Sequence, residues 1–197
     1  MALTKEYIIQ KSIDILNRDG IDGLTMRLLA KELNIKAASL YWHFKDKAEL
    51  YAAISETLCA AMALPSAMTN PQQYLSDVFH RFRNILLDVR DSAVVFENSI
   101  PFTPKRVNLI RAVFDALLAF GVHAENIVTV SNMLNNYVLS FVADEYRFKR
   151  ITGGQVEEWI ENLPPLDKQL FTMSRDFDAQ FDYGLLVLFE GMKQMTG

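Results

Sequence analysis

Tyr41, Trp42 and His43 are three consecutive polar-aromatic residues, and Lys45 and Lys47 follow them closely. A solvated helix surface seldom exposes tyrosine, tryptophan and histidine together. Each of these rings combines apolar surface with a hydrogen-bond donor, which suits contact with the base edges and phosphates of DNA. The two lysines supply positive charge for the phosphate backbone. These residue types at this spacing therefore predict a nucleic-acid contact.

Two short helices joined by a tight turn are predicted to hold these side chains. Thr25 caps the first helix, which carries leucines four residues apart on one face. Asn34 forms the turn, since asparagine tolerates the left-handed backbone conformation. The second helix is predicted over Ala37–His43, with Leu40 and Phe44 in the core. This is the layout of a helix-turn-helix, whose second helix enters the major groove of DNA.

The side chains left on the surface of this motif are the predicted DNA contacts. Ala37 and Ala38 are small enough for the backbone to approach a thymine methyl, and Arg27 reaches guanine or a phosphate. Lys47 lies where the next helix begins, a position that favours phosphate binding. For Trp42 the sequence supports packing against that next helix equally well. The predicted contacts are Arg27, Lys36, Ala37, Ala38, Ser39, Tyr41, Trp42, His43 and Lys47.

Helical spacing dominates the remainder of the chain, which predicts an all-α fold. Further helices are predicted over Lys5–Asp19, Pro71–Arg90, Pro104–Phe120, Ala124–Lys149 and Asp176–Met195, with shorter pieces at 92–98 and 166–174. The proline-containing segment 63–71 marks a domain boundary. Residues 1–50 then form the DNA-binding domain, a connecting helix covers 46–62, and residues 63–197 form a second helical domain. Paired glycines and prolines within 152–165 predict a surface connection.

Charge and cysteine content agree with a cytoplasmic DNA-binding protein. The net charge of −4 divides into +1 over residues 1–50 and −5 over residues 51–197, so the acidic part lies away from the motif. Cys59 is the single cysteine, which excludes an internal disulfide and fits a reducing compartment. No apolar run approaches the roughly 18 residues of a membrane span. The N-terminal sequence shows no apolar core of a secretory signal.

Two helices of the second domain carry stripes that indicate burial: in a pocket or an interface for the first stripe, and in the protomer core or a dimer interface for the second. A polar, uncharged stripe suits an effector pocket or a protein interface better than solvent; it consists of Thr129, Asn132, Asn136 and Ser140. An apolar stripe on the last helix consists of Phe181, Leu185, Leu188 and Met192, with Gly184 and Gly191 allowing close approach. Because one short helix reads few base pairs, we expect a homodimer with recognition helices about 34–36 Å apart.

Residues 4–50 resemble the DNA-binding domain of TetR-family repressors, and the stretch GIDGLTMRLLAKELNIKAASLYWHFKDKAEL follows the family pattern. The tetrad LYWH at Leu40–His43, followed by Lys45 and Lys47, is especially similar to the tetracycline-repressor branch. Weaker similarity continues through 82–91, Pro101 and 163–188. The resemblance implies a three-helix DNA-binding domain, joined through a fourth helix to a helical domain that dimerises and binds a small inducer. It also implies the DNA contacts named above, apart from Lys36.

The resemblance further implies an effector pocket in the second domain, but two residues depart from the pattern of the tetracycline repressors. The predicted pocket residues are Phe82, Phe96, Asn98, Phe102 and Asn136, to which the polar stripe adds Asn132. They predict a small apolar or aromatic effector. Ala37 replaces a base-reading glutamine, which implies a different operator. Phe96 replaces a magnesium-binding histidine, and a phenyl ring cannot ligate magnesium. We therefore expect an effector other than a tetracycline–magnesium chelate.

The sequence predicts a ligand-responsive transcriptional repressor that binds a palindromic operator as a homodimer and is released by its effector. The alternative is an effector-independent DNA-binding or DNA-organising protein. An enzyme is not predicted, because His43, His80 and His123 are scattered and Cys59 has no evident base. The carboxylates at 157, 158 and 161 suit a solvated helix end. No catalytic residue, metal or cofactor is predicted.

Overall fold

The computed structural model describes residues 3–151, 158, 160–173 and 176–196, and the regular elements among them are helices. The N-terminal helices are α1 (Lys5–Asp19), α2 (Met26–Glu32), α3 (Ala37–Tyr41) and α4 (Lys47–Ala61). The C-terminal helices are α5 (Pro71–Leu87), α6 (Ser92–Glu97), α7 (Pro104–Phe120), α8 (Ile127–Ile151), α9 (Pro165–Met173) and α10 (Phe177–Thr196). A 3₁₀ turn at Ala124–Asn126 precedes α8. The predicted all-α fold is confirmed.

Side-chain caps fix the starts of the N-terminal helices. The hydroxyls of Thr4 and Thr25 each accept a hydrogen bond from the amide three residues later, at 3.2 and 3.1 Å. At the start of α4, Asp46 Oδ1 accepts from the Glu49 amide at 2.8 Å. Glu49 Oε2 in turn accepts from the amide of Lys45 at 2.7 Å, one residue before the position that a capping box uses. The bonds of Asp46 and Glu49 join the start of α4 to the residues that directly follow the helix-turn-helix.

The turn between α2 and α3 has the predicted conformation. Asn34 has a φ of 54°, in the left-handed region. Its N–H donates to the carbonyl of Lys31, and the N–H of Ile35 donates to the carbonyl of Ala30, both at 3.0 Å. This pair of bonds is a Schellman motif, which satisfies the last carbonyls of α2. The turn thereby fixes the direction in which α3 leaves.

Three predicted helix boundaries lie two or three residues beyond the observed ones. α3 ends at Tyr41 because the chain tightens there, with the N–H of His43 donating to the carbonyl of Leu40 at 3.0 Å. α5 ends at Leu87, three residues early, and Asp91 then takes a left-handed conformation with φ of 57°. α8 starts after the 3₁₀ turn rather than at its first residue. In each case a local turn replaces the last or first helical turn that periodicity alone predicted.

The predicted connection at 152–165 lies partly outside the described residues, which omit 152–157 and 159. The short piece predicted at 166–174 is α9, which begins and ends one residue earlier. None of the helices in the described part of the chain is long and apolar enough to cross a lipid bilayer.

Helix α4 belongs to both packing regions of the molecule. Its N-terminal part packs on α1, and its remaining length packs against α5, α6 and α7. Leu50 and Ile54 of α4 are fully buried, as are Leu40 and Phe44, the core residues predicted for the motif. One rigid element therefore joins the helix-turn-helix to the C-terminal helices.

A buried ion cluster joins three C-terminal helices. Arg83 of α5 donates to Glu145 of α8 at 2.7 Å and to Asp178 of α10 at 2.6 Å. Glu145 also pairs with Lys149 at 2.6 Å. Arg83 and Glu145 are 4 and 2 % exposed, so each charge is compensated inside the fold.

Candidate DNA-binding surface and effector cavity

The surface of α3 exposes large aromatic rings to solvent. Tyr41 is 51 % exposed and Trp42 is 90 % exposed, so Trp42 does not pack against α4 in this structure. Ala37 and Ala38 are also exposed, whereas Ser39 and His43 are half-buried. Leu40 and Phe44 hold the segment to the core from its other side. The aromatic residues therefore stand on a surface that the fold itself does not cover.

The predicted DNA-contacting cations lack acidic partners. Arg27 and Lys36 are exposed and Lys47 is half-buried. In the part of the chain that the structure describes, no carboxylate lies within 4.0 Å of any of these three charges. The Lys47 ammonium lies 5.2 Å from the ring centroid of Tyr51, which leaves it free to reach an anion. Unpaired, solvated cations beside exposed rings are typical of a phosphate-binding face.

A partly open cavity of about 180 Å³ lies among α5, α6, α7 and α8. Its wall is mainly aromatic and aliphatic, and its polar groups come from α7 and α8. The lining residues are Val78, Phe79, Phe82, Phe96, Pro101, Arg106, Leu109, Ile110, Val113, Phe114, Ser131, Asn132 and Asn135. The rings of Phe82 and Phe96 meet edge to face with centroids 5.3 Å apart. Such a cavity suits a small, largely apolar ligand oriented by few polar groups.

The predicted effector residues divide between this cavity and the protomer surface. Phe82, Phe96 and Asn132 lie on the cavity wall. Asn98 ends α6 and donates from its side chain to the carbonyl of Val94, outside the wall. Phe102 is 81 % exposed in the loop before α7, and Asn136 is exposed on α8.

Arg106 lies on the cavity wall but was not predicted from the sequence as an effector-binding residue. Its guanidinium carbon lies 4.8 Å from the ring centroid of Phe96. Its Nη2 donates to the carbonyl of Phe96 at 3.0 Å, and its Nη1 donates to Ser99 Oγ at 2.5 Å. Burial lowers the pKa of this guanidinium from its ordinary value. A signal was present in the sequence, because Lys105 and Arg106 put two cations in the first helical turn, where the helix dipole disfavours them.

Glu56 of α4 caps the helix that carries Arg106. Its carboxylate accepts from the amide of Lys105 at 2.9 and 3.0 Å and from the amide of Arg106 at 3.4 Å. Thr103, the residue that precedes the helix, makes no side-chain cap of its own. The connecting helix therefore holds the start of α7 directly.

A second contact joins the two halves beside α6. Asp91 Oδ2 accepts from the amide of Ile21 at 2.7 Å, and Asn17 Oδ1 accepts from the amide of Arg90 at 2.9 Å. Gly20 lies next to this contact with a φ of 77°, where an added Cβ would lie 2.6 Å from Asp91. Glu56 thus joins α4 to the start of α7, and the pair of Asp91 and Asn17 joins the segment before α6 to the end of α1.

The residues weighed as enzymatic groups lie on separate elements, with Cys59 on α4 and His80 on α5. Cys59 is buried, and this burial raises the pKa of its thiol to about 12, which disfavours the nucleophilic thiolate. His80 lies on α5, and its Nε2 contacts Asp182 at 2.6 Å. No group of three or more metal-ligating side chains occurs among the described residues.

Apolar side chains are exposed on α8 and α10. Val128 and Met133 of α8 are exposed, as are Tyr183, Leu186 and Val187 of α10. The polar residues of the predicted α8 stripe lie on the same exposed side of the protomer: Thr129, Asn132, Asn136 and Ser140. The apolar stripe of α10 instead faces the protomer core, with Phe181 and Leu185 buried. An added Cβ at Gly184 would clash with the hydroxyl of Tyr137, so this glycine serves packing within the protomer.

Comparison with known proteins places this arrangement in one family. Residues 8–54 match the family model of bacterial regulatory proteins of the tetR family, and residues 65–196 match the tetracyclin repressor-like C-terminal domain. The chain is 29 % identical to the class D tetracycline repressor protein of Escherichia coli, over 98 % of this chain and 91 % of that one. It is 30 % identical to the class A repressor from transposon 1721 in Escherichia coli, over 96 and 90 % of the two chains.

A solved relative has the same architecture over the full length. The structure of a TetR variant from Acinetobacter baumannii AYE in complex with minocycline matches with a TM-score of 0.78 and 25 % identity, over 100 % of this chain and 99 % of that one. Both family models and these full-length similarities agree with the helix-turn-helix and the C-terminal helical domain described above. The chain belongs to the TetR family of transcription regulators.

Proposed function

We propose that this protein is a cytoplasmic, ligand-responsive transcriptional repressor that binds a palindromic operator as a homodimer. A small apolar or aromatic effector, different from a tetracycline–magnesium chelate, releases it from DNA. The observation that carries the proposal is the pairing of an uncovered aromatic and cationic surface around α3 with a partly open aromatic cavity, joined by α4. Family membership supports both halves of this pairing.

The DNA contacts of the proposal follow from exposure and charge. Tyr41 and Trp42 present rings and donors to base edges or sugars, while Arg27, Lys36 and Lys47 neutralise phosphates or bind guanine. Ala37 to Ser39 and His43 complete the face that approaches the groove. Because Ala37 lacks the side chain of a base-reading glutamine, the operator differs from those of the tetracycline repressors.

The homodimer is proposed to form through α8 and α10. Their exposed apolar residues would be covered by the same residues of a second copy, giving a four-helix interface. This two-fold arrangement sets the separation of the two α3 helices to one turn of DNA, about 34–36 Å. A Val187→Arg variant should shift the molecular mass measured by light scattering from dimer to monomer, whereas an exposed control, Arg111→Ala, should remain dimeric.

The effector is proposed to act on the spacing of the two α3 helices. It binds the cavity more tightly in one conformation than in the other, which shifts the population by a coupling of typically about 1–3 kcal/mol. Glu56 and Asp91 supply direct contacts through which the cavity wall acts on α4 and α1. Phe96 gives the cavity a ring in place of a magnesium ligand, and the described residues that line it include no carboxylate or imidazole.

The test of DNA recognition is operator selection from random DNA with the full-length protein. We expect an inverted repeat whose half-site centres lie about 10 base pairs apart. In anisotropy titrations at fixed salt, Arg27→Ala and Tyr41→Ala should each weaken operator binding by about tenfold or more. Lys47→Ala should lower the slope of log affinity against log salt by about 1, because it removes one phosphate contact.

Matched controls separate these effects from loss of fold or of net charge. Arg111→Ala removes one exposed cation from α7 and should leave operator affinity and the salt slope unchanged. Tyr41→Phe keeps the ring and removes the hydroxyl, which divides ring contact from hydrogen bonding. If Arg27→Ala and Tyr41→Ala bind like the unmodified protein, the DNA surface is assigned wrongly. If a compound screen finds no ligand that releases the complex, the alternative of effector-independent DNA binding gains support.

A further inference from the structure

Arg106 is a positive charge in the cavity wall without a negative partner. Among the described residues that line the cavity, Arg106 alone is ionisable. No carboxylate of the described residues lies within 4.0 Å of its guanidinium. Glu56, the nearest acidic residue in its contacts, bonds the backbone of α7 rather than the guanidinium. The cavity therefore has a net positive charge that the fold does not compensate.

The groups that hold the guanidinium are neutral. They are the carbonyl of Phe96, the hydroxyl and carbonyl of Ser99, and the ring of Phe96. A guanidinium has five N–H donors, and these bonds come from Nη1 and Nη2. Nε and one N–H of Nη2 therefore have no acceptor among the described residues. Two donors on one charged group suit an oxygen pair, such as that of a carboxylate.

Maintaining an unpaired charge in a partly buried aromatic wall is unfavourable for the folded protein alone. Partial withdrawal from water disfavours the charged guanidinium, and a neutral carbonyl compensates only part of that cost. The same withdrawal strengthens the attraction to an anion that enters the cavity, since the surrounding dielectric is low. A ligand with a negative charge would therefore gain a favourable partner in this arginine.

Resting on the effector site proposed above, we propose that the effector is a small aromatic anion whose acidic oxygens pair with Arg106. Its ring lies among Phe79, Phe82 and Phe96, and neutral polar groups at its other end face Ser131 and Asn132. The volume of about 180 Å³ limits the ring system to about two fused rings. Bases, zwitterions and neutral isosteres are discriminated against, because they leave the charge unpaired or add a second cation.

The test compares matched acids and amides on the full-length protein. The probes are benzoate with benzamide and 2-naphthoate with 2-naphthamide, whose members differ in charge but hardly in shape. Binding to the DNA-free protein is detected by saturation-transfer NMR and quantified by calorimetry. In at least one pair we expect the acid to bind about tenfold or more tightly than its amide, as for a charge-assisted hydrogen bond.

Two variants assign the preference to Arg106. Arg106→Gln should abolish the acid–amide difference, so that both members bind with similar Kd. Lys105→Gln removes the same charge from the neighbouring exposed residue and should leave the difference unchanged. Circular dichroism and the thermal midpoint of each variant check that the fold is retained.

The outcomes separate this inference from the proposed function. Equal binding of acid and amide, persistence of the preference in Arg106→Gln, or binding of neither member overturns the anion inference. None of these results changes the operator titrations of Arg27→Ala and Tyr41→Ala, on which the repressor proposal depends. An acid preference that vanishes in Arg106→Gln and survives in Lys105→Gln supports the inference even where the acid is too weak to release DNA.

Discussion

Two arginines of the C-terminal domain lie in similar aromatic surroundings but have opposite electrostatic partners. The guanidinium carbon of Arg83 is 5.1 Å from the ring centroid of Phe181, and that of Arg106 is 4.8 Å from Phe96. Arg83 pairs with carboxylates on two other helices, whereas Arg106 has neutral oxygen acceptors. An arginine whose counter-charge belongs to the fold stabilises the fold. An arginine without one is available to a ligand.

The cause of the difference lies in which carboxylates the helices bring close. Glu145 of α8 points at Arg83 and is 2 % exposed, so the two charges compensate each other in the interior. Glu56 of α4 approaches Arg106 but accepts from backbone amides, replacing the cap that Thr103 does not provide. The Glu56 carboxylate therefore bonds the start of α7, and no described carboxylate lies within 4.0 Å of the Arg106 guanidinium.

The largest effect that this comparison predicts is the loss of folding stability when Arg83 loses its buried partner, Glu145. Glu145→Ala leaves the guanidinium buried with one exposed partner, Asp178, and should lower the free energy of unfolding by about 3–5 kcal/mol. Urea denaturation followed by circular dichroism measures it. Asp178→Ala removes the exposed member of the same cluster and should cost less than about 1 kcal/mol. Similar losses in both variants would contradict the assignment of Arg83 to the interior pair.

The exposed face of the helix-turn-helix could be predicted from the sequence because its residues lie close together along the chain. Thr25 and Asn34 mark the ends of α2, and every side chain of the exposed face lies within one short segment. The helix ends were less predictable, since hydrogen bonds such as that from His43 to Leu40 shorten α3 without a sequence signal. Local patterns therefore determine the motif well and its last helical turn less well.

The cavity could be predicted only in part because its wall comes from four helices. Periodicity indicates that Phe82 and Phe96 are apolar, but not that they meet across a cavity with Arg106. Asn136 and Phe102 were predicted to lie in the pocket, but both are exposed in the protomer. Which residues converge depends on helix packing angles that spacing along one helix does not contain.

An intermediate effect is predicted for the link between α4 and the cavity. Glu56→Gln keeps the shape of the side chain but removes the negative charge at the start of α7, which should cost about 1 kcal/mol of stability. The amides of Lys105 and Arg106 should exchange faster with deuterium in NMR experiments. Glu97→Gln, an exposed change of the same kind on α6, should leave both quantities unchanged. Unaltered exchange in Glu56→Gln would show that this cap does not hold α7.

The smallest effect is predicted for the arginine that most resembles Arg83. Arg106→Met removes hydrogen bonds to neutral acceptors and also removes an unpaired charge from an apolar wall; because these terms oppose each other, stability should change by less than about 0.5 kcal/mol. Arg83→Met instead leaves Glu145 buried without its main partner and should cost about 3 kcal/mol or more. Chemical denaturation of both variants compares the same substitution in similar aromatic surroundings. A large loss in Arg106→Met would mean that this arginine is structural, whereas near-neutrality means that the fold does not need it.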